Sequence, residues 1–168
     1  MTVDTNFSIE KYLSRVRAQG AQKGFGWTSL DVLEIGFNPG ELAIIAGRTG
    51  HGKSTALLNI LIHWMESYTD EHFVLFSHEI PPEAATIKLL SILTRKHGDI
   101  GWSYHEIRRW LQDGTVREEL HEDEIRRAID VLSRWETRLT IIYEPDWSVA
   151  QIQEAAREIV RQILFGDN

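Results

Sequence analysis

Leu42-Ala43-Ile44-Ile45-Ala46-Gly47-Arg48-Thr49-Gly50-His51-Gly52-Lys53-Ser54-Thr55 holds three signals in a row. Residues 42–46 form a short apolar run of the kind a fully buried strand shows. Residues 47–54 fit G-x-x-x-x-G-K-[ST] without a mismatch. Beyond Thr55, Leu57, Leu58, Leu61, Ile62 and Met65 recur at helical spacing. The chemistry follows from the residue types. Glycines let the backbone curl so that successive N–H groups face one oxyanion cluster, and a helix N-terminus adds partial positive charge. Lys53 is expected to reach the β- and γ-phosphates of a nucleotide, and Ser54 to offer its hydroxyl to Mg²⁺. A glycine-rich strand–helix turn that binds nothing is the bland alternative. The flanking strand and helix are the context the motif requires, and they favour a nucleoside triphosphate site over residues 47–55.

Composition narrows the class. A chain of 168 residues is the size of one domain, and such a domain buries about 68–70% of its unfolded surface. Its 42% hydrophobic and 26% charged content is ordinary for a globular protein. With no cysteine, disulfides and thiolate metal sites are excluded. A net charge of −7 suits nucleic acid poorly, because backbone phosphates are held by clustered Lys and Arg. The polar start, Met1 to Asn6, has no signal-peptide core, and no run approaches the ~20 apolar residues of a membrane span. A cytoplasmic protein without a membrane partner is expected. His97, His105 and His121 lack zinc-ligand spacing and read as surface or half-buried residues.

Outward from the loop, the chain alternates apolar runs and helical patterns. Ser8 can cap a short amphipathic helix bearing Ile9, Leu13 and Val16, with Tyr12 beside them. Residues 19–24 read as a glycine-interrupted linker, so residues 1–24 form a helix and linker ahead of a domain over 25–168. Asn38-Pro39-Gly40 is a turn. Phe73-Val74-Leu75-Phe76-Ser77 and Leu139-Thr140-Ile141-Ile142-Tyr143 are further strands. Pro82 suits a first helical position, and that helix runs toward Gly98. Capping boxes begin at Ser103, Thr115 and Ser148; the second opens a helix through Leu120, Ile125, Ile129 and Leu132. Strands separated by helices argue for an α/β fold with a mostly parallel sheet flanked by helices.

These residues also carry a family resemblance. Gly24-Phe25-Gly26-Trp27-Thr28-Ser29-Leu30-Asp31, followed by Gly36-Phe37-Asn38-Pro39-Gly40-Glu41-Leu42, resembles the lead-in of RecA-like ATPases. The nearest likeness is to the C-terminal motor domain of DnaB-type replicative helicases. Leu75-Phe76-Ser77-His78-Glu79-Ile80 is similar to that family's "hhFSLEM" segment, with His78 where the family has Leu. Ile141, Pro145, Ser148, Ile152, Ala156 and Arg157 match a later block, so the similarity spans about residues 24–160. The resemblance implies a RecA-like fold, ATP and Mg²⁺ as ligands, and, for the intact protein, single-stranded DNA as a partner with self-association or a homohexamer. It also gives Glu79 a role. Hydrolysis needs a carboxylate near the γ-phosphate to polarise the attacking water. The end of a strand beside the phosphate loop is where ligands of such sheets lie. From pattern alone, capping of the following helix remains open for this glutamate.

The family continues into a strand of the form "hhhhDYhQ", whose Asp holds Mg²⁺, and nothing after Ile159 looks like it. The DNA-gripping loops and the arginine finger lie further on in the family. The expectation is therefore a sheet incomplete at the C-terminus and weak or absent activity from this chain alone. Glu144 and Asp146 read as turn residues beside Pro145 rather than as the metal carboxylate. A stand-alone nucleotide-binding module that joins a partner ATPase stays open as the alternative. A small-molecule kinase would want an arginine-rich lid, whereas Arg108, Arg109, Arg126 and Arg127 read as solvated helix faces.

Overall fold

The computed structural model describes residues 8–18, 20–98, 100–116 and 121–166. The chain falls into two compact units, Met1–Ser67 and Tyr68–Asn168.

In the first unit, helix α1 (Ile9–Ala18) begins where the Lys11 N–H donates to Ser8 Oγ at 3.4 Å, the cap expected from the sequence. Its apolar stripe stands in solvent, with Ile9, Leu13 and Val16 all exposed. The linker ends in a two-residue strand, β1 (Lys23–Gly24), antiparallel to β2 (Gly36–Phe37), with the short helix α2 (Thr28–Asp31) between them. Asp31 Oδ1 accepts the Phe25 N–H at 2.8 Å and closes this excursion. The aromatic rings of Phe25, Phe37 and Trp64 meet in sequence, with centroids 4.6 and 5.0 Å apart. Trp64 Nε1 donates to the Gly24 carbonyl at 2.7 Å, so the indole satisfies its own polar edge while tying β1 to α3 (Lys53–Ser67). Helix α3 buries Leu58, Ile60, Leu61, Ile62 and Met65. Asn38 to Glu41 closes as the expected turn, with the Glu41 N–H on the Asn38 carbonyl at 3.1 Å.

One expected element is missing. Residues 42–46 are not a strand: Leu42 and Ile44 are 88% and 80% exposed, and no ladder forms beside them. A strand exists only as a member of a pair, because its N–H and C=O groups need a neighbour. Among the described residues the four strands pair only as β1–β2 and as β3 (Phe73–Ser77) with β4 (Leu139–Tyr143). The mostly parallel sheet expected from the sequence is therefore represented by one parallel pair, and the other pair is antiparallel.

The second unit is built on that parallel pair, in register from Phe73↔Leu139 to Ser77↔Tyr143. Among the described residues three helices make the crossover: α4 (Pro82–His97), α5 (Tyr104–Asp113) and α6 (Glu122–Ser133). Leu89 and Leu93 of α4, Ile107 of α5, Ile125 of α6 and Trp102 in the α4–α5 connection are fully buried. The buried connection needs partners for its polar main chain. Trp102 N–H donates to Thr94 Oγ1 at 2.9 Å, and Ser91 Oγ donates to the Trp102 carbonyl at 2.6 Å. The capping boxes at Ser103 and Ser148 form with both reciprocal bonds, and Gly114 closes α5 in the left-handed conformation. Of the third expected box, residues 117–118 lie outside the described residues; the described helix begins at Glu122. Helix α7 (Val149–Phe165) half-buries Ile152, Ala155, Ala156 and Ile159. No described helix is long and apolar enough to cross a membrane.

Candidate functional site

The phosphate-loop motif lies in the first unit. Residues 47–52 are an exposed turn that runs directly into α3, whose first residue is Lys53. Gly50 and Gly52 take φ of +81° and +80°, a region closed to most side chains, and a Cβ built on either would meet nothing within 4 Å. The backbone conformation, not crowding, demands glycine here. The turn is closed by the His51 N–H on the Arg48 carbonyl at 3.2 Å, and α3 starts with Ala56 N–H on the Gly52 carbonyl at 2.8 Å. Among the described residues no acceptor meets the main-chain N–H of Thr49, Gly50, Gly52, Lys53, Ser54 or Thr55. Six donors thus stand at the positive end of a 15-residue helix.

The side chains follow suit. Lys53 Nζ donates to the Arg48 carbonyl at 3.0 Å, so its ammonium folds back over the loop. Ser54 is half-buried, and its hydroxyl meets no protein group among the described residues. Arg48, Thr49, His51 and Thr55 are exposed. Just ahead of the loop, the Glu41 carboxylate accepts from Asn38 N–H and from Asn38 Nδ2, each at 3.0 Å. The main-chain bond first and the amide second hold the Glu41 carboxyl below its ordinary range.

Glu79 lies in the second unit, two residues past the end of β3. Ser77 Oγ donates to the Ile80 carbonyl at 2.6 Å and accepts the Ile80 N–H at 3.0 Å, closing the turn over residues 78–79. Glu79 is exposed, and its carboxylate has no partner among the described residues. Beside it, His78 Nδ1 lies 2.8 Å from the Glu144 carbonyl, just past β4. The sequence marks His78 only as a polar residue in an apolar position; its partner, 66 residues away, emerges from the strand pairing. Glu144 and Asp146 are exposed in the turn after β4.

The first unit thus carries a glycine loop with open amides at a helix start, and the second an exposed carboxylate past the end of a parallel strand. The class comes from the comparison with protein families. The model of the DnaB-like helicase C-terminal domain matches residues 22–166, and the chain belongs to that family. It is a helicase-related ATPase domain of the kind used in DNA replication. No curated protein and no solved structure matches the chain.

Proposed function

We propose that residues 47–55 bind ATP with Mg²⁺ and that Glu79 is the general base for its hydrolysis. In the intact protein this hydrolysis drives translocation on single-stranded DNA and duplex unwinding by a homohexamer. Residues 25–168 supply the ATP-binding domain, residues 1–24 a helix and linker, and the protein works in the cytoplasm. The observation that carries the reading is the set of acceptor-free amides at the start of α3, with the Lys53 ammonium held on a loop carbonyl. Polyphosphate oxygens satisfy those donors, and Lys53 exchanges a neutral carbonyl for anionic oxygens, a stronger partner. The free Ser54 hydroxyl suits a Mg²⁺ ligand; when bound, the ion supplies charge neutralisation across the β- and γ-phosphates. Glu79 takes the proton from the water that attacks the γ-phosphorus while the β–γ bridging oxygen leaves with ADP.

ATP at ~100 Kd stabilises the fold by about 2.7 kcal/mol when it binds only the native state. A thermal-shift titration reads this directly, with Lys53→Ala as the control that loses the shift. Absence of a shift in the unmutated chain would remove the binding claim. Glu79→Gln keeps the shift and suppresses turnover; equal loss of both counts against the base. One observation favours the second reading, a nucleotide-binding module without useful turnover. The segment leading into the loop is unpaired, so the loop is less preorganised than a strand-mounted one. Wild-type turnover no faster than that of Glu79→Gln selects that module.

A further inference from the structure

The turn that carries Glu79 is held from both sides by side chains, and one of them is a histidine where the family's segment has leucine. We propose that His78 is a positioning residue for Glu79. By bonding the main chain just past β4, its imidazole fixes where the neighbouring carboxylate stands. The inference rests on the reading of Glu79 as the base.

The strand pairing ends at the Glu144 N–H, which donates to the Ser77 carbonyl at 3.3 Å. The next tie across the pair is made by a side chain, His78 Nδ1 to the Glu144 carbonyl at 2.8 Å. A carbonyl only accepts, so Nδ1 carries the proton, and in the neutral ring Nε2 holds the lone pair. On the other side of Glu79, Ser77 Oγ binds both the N–H and the carbonyl of Ile80. Glu79 sits between these two fastenings, while its own carboxylate is exposed and bound to no described group. Its placement therefore comes from the main chain on either side of it. That matters because a catalytic group displaced by about 1 Å can lose about 100-fold in rate. Leucine fills space at position 78 but donates nothing. Asparagine carries an amide N–H two bonds beyond Cβ, as the imidazole does at Nδ1, and can restore the tie.

The test compares the full chain with His78→Leu, His78→Asn and Glu79→Gln by single-turnover hydrolysis of saturating ATP, ATP affinity, and amide exchange at residues 80 and 144, whose N–H groups are hydrogen-bonded beside the tie. His78→Leu should slow hydrolysis roughly tenfold, the scale of one lost hydrogen bond. It should leave ATP affinity unchanged and speed exchange at both amides. His78→Asn should recover most of the rate and the protection. Glu79→Gln as fast as wild type overturns the base reading, and this inference with it. Glu79→Gln slow but His78→Leu as fast as wild type overturns the role of His78 alone. His78→Asn as slow as His78→Leu also overturns it, since the donor would then not be what counts. Nitrogen NMR of the unmutated imidazole gives a check that needs no variant: Nδ1 protonated supports the tie, and a neutral ring protonated only at Nε2 sinks it.

Discussion

The glycine loop before α3 and the turn after β3 each present a charged side chain, Lys53 and Glu79, yet they are built in opposite ways. The turn stands on a parallel pair five residues long and is fastened by Ser77 and His78 to groups on both sides. The loop has no strand behind it; residues 41–50 are all exposed, and its shape comes from left-handed glycines and the start of a well-buried helix. The turn is ordered by the protein's own side chains, whereas the loop's main-chain donors meet no acceptor among the described residues. A loop whose hydrogen bonds are completed by ligand sits at the low-stability end of a fold and gains most on binding. A base needs the opposite, since its value lies in being in place before the reaction.

Substitutions can break or sharpen that contrast. The largest effect should come from the packing between the crossover helices. Trp102→Ala empties a fully buried site and should cost about 3–5 kcal/mol in urea unfolding followed through the second unit. A loss under 1 kcal/mol would mean that Trp102 does not hold the crossover helices together. Next comes Gly52→Ala, which forces a side chain into φ of +80° and should cost about 1–2 kcal/mol while weakening ATP binding. Unchanged affinity would show that the loop's conformation is not set by its glycines. Ser77→Ala removes both bonds to Ile80 and should cost about 1 kcal/mol, raising amide exchange at Ile80 without altering ATP affinity. The smallest effect is electrostatic. Because the exposed Glu41 carboxyl is held below its ordinary range, its contribution is present above the unfolded value and lost as pH falls through the folded one. Acidification should thus release the Asn38 N–H in an NMR titration, and Glu41→Ala should abolish that step.

Legibility differed between these regions for physical reasons. Ser103, Ser148 and Gly114 act within their own helix ends, so a few adjacent residues dictated the caps that formed. Strands β3 and β4 were readable because each is a concentrated apolar run, and both found a partner in the other. The run at residues 42–46 looks just as strand-like, but its state depends on a neighbour that local sequence does not encode. His78 is the converse case: its type was visible and its function was not, because the accepting carbonyl arrives through a crossover of some sixty residues.

The amino-acid order alone determined the phosphate-loop motif, the helix ends, and membership in the DnaB-like family, since each rests on residues close together in the chain or on an extended match to a pattern. The tertiary structure alone decided which apolar runs became paired strands and which main-chain atom His78 holds. Propensities and caps act over a few residues, whereas a ladder or a long-range hydrogen bond exists only once distant segments have been brought side by side.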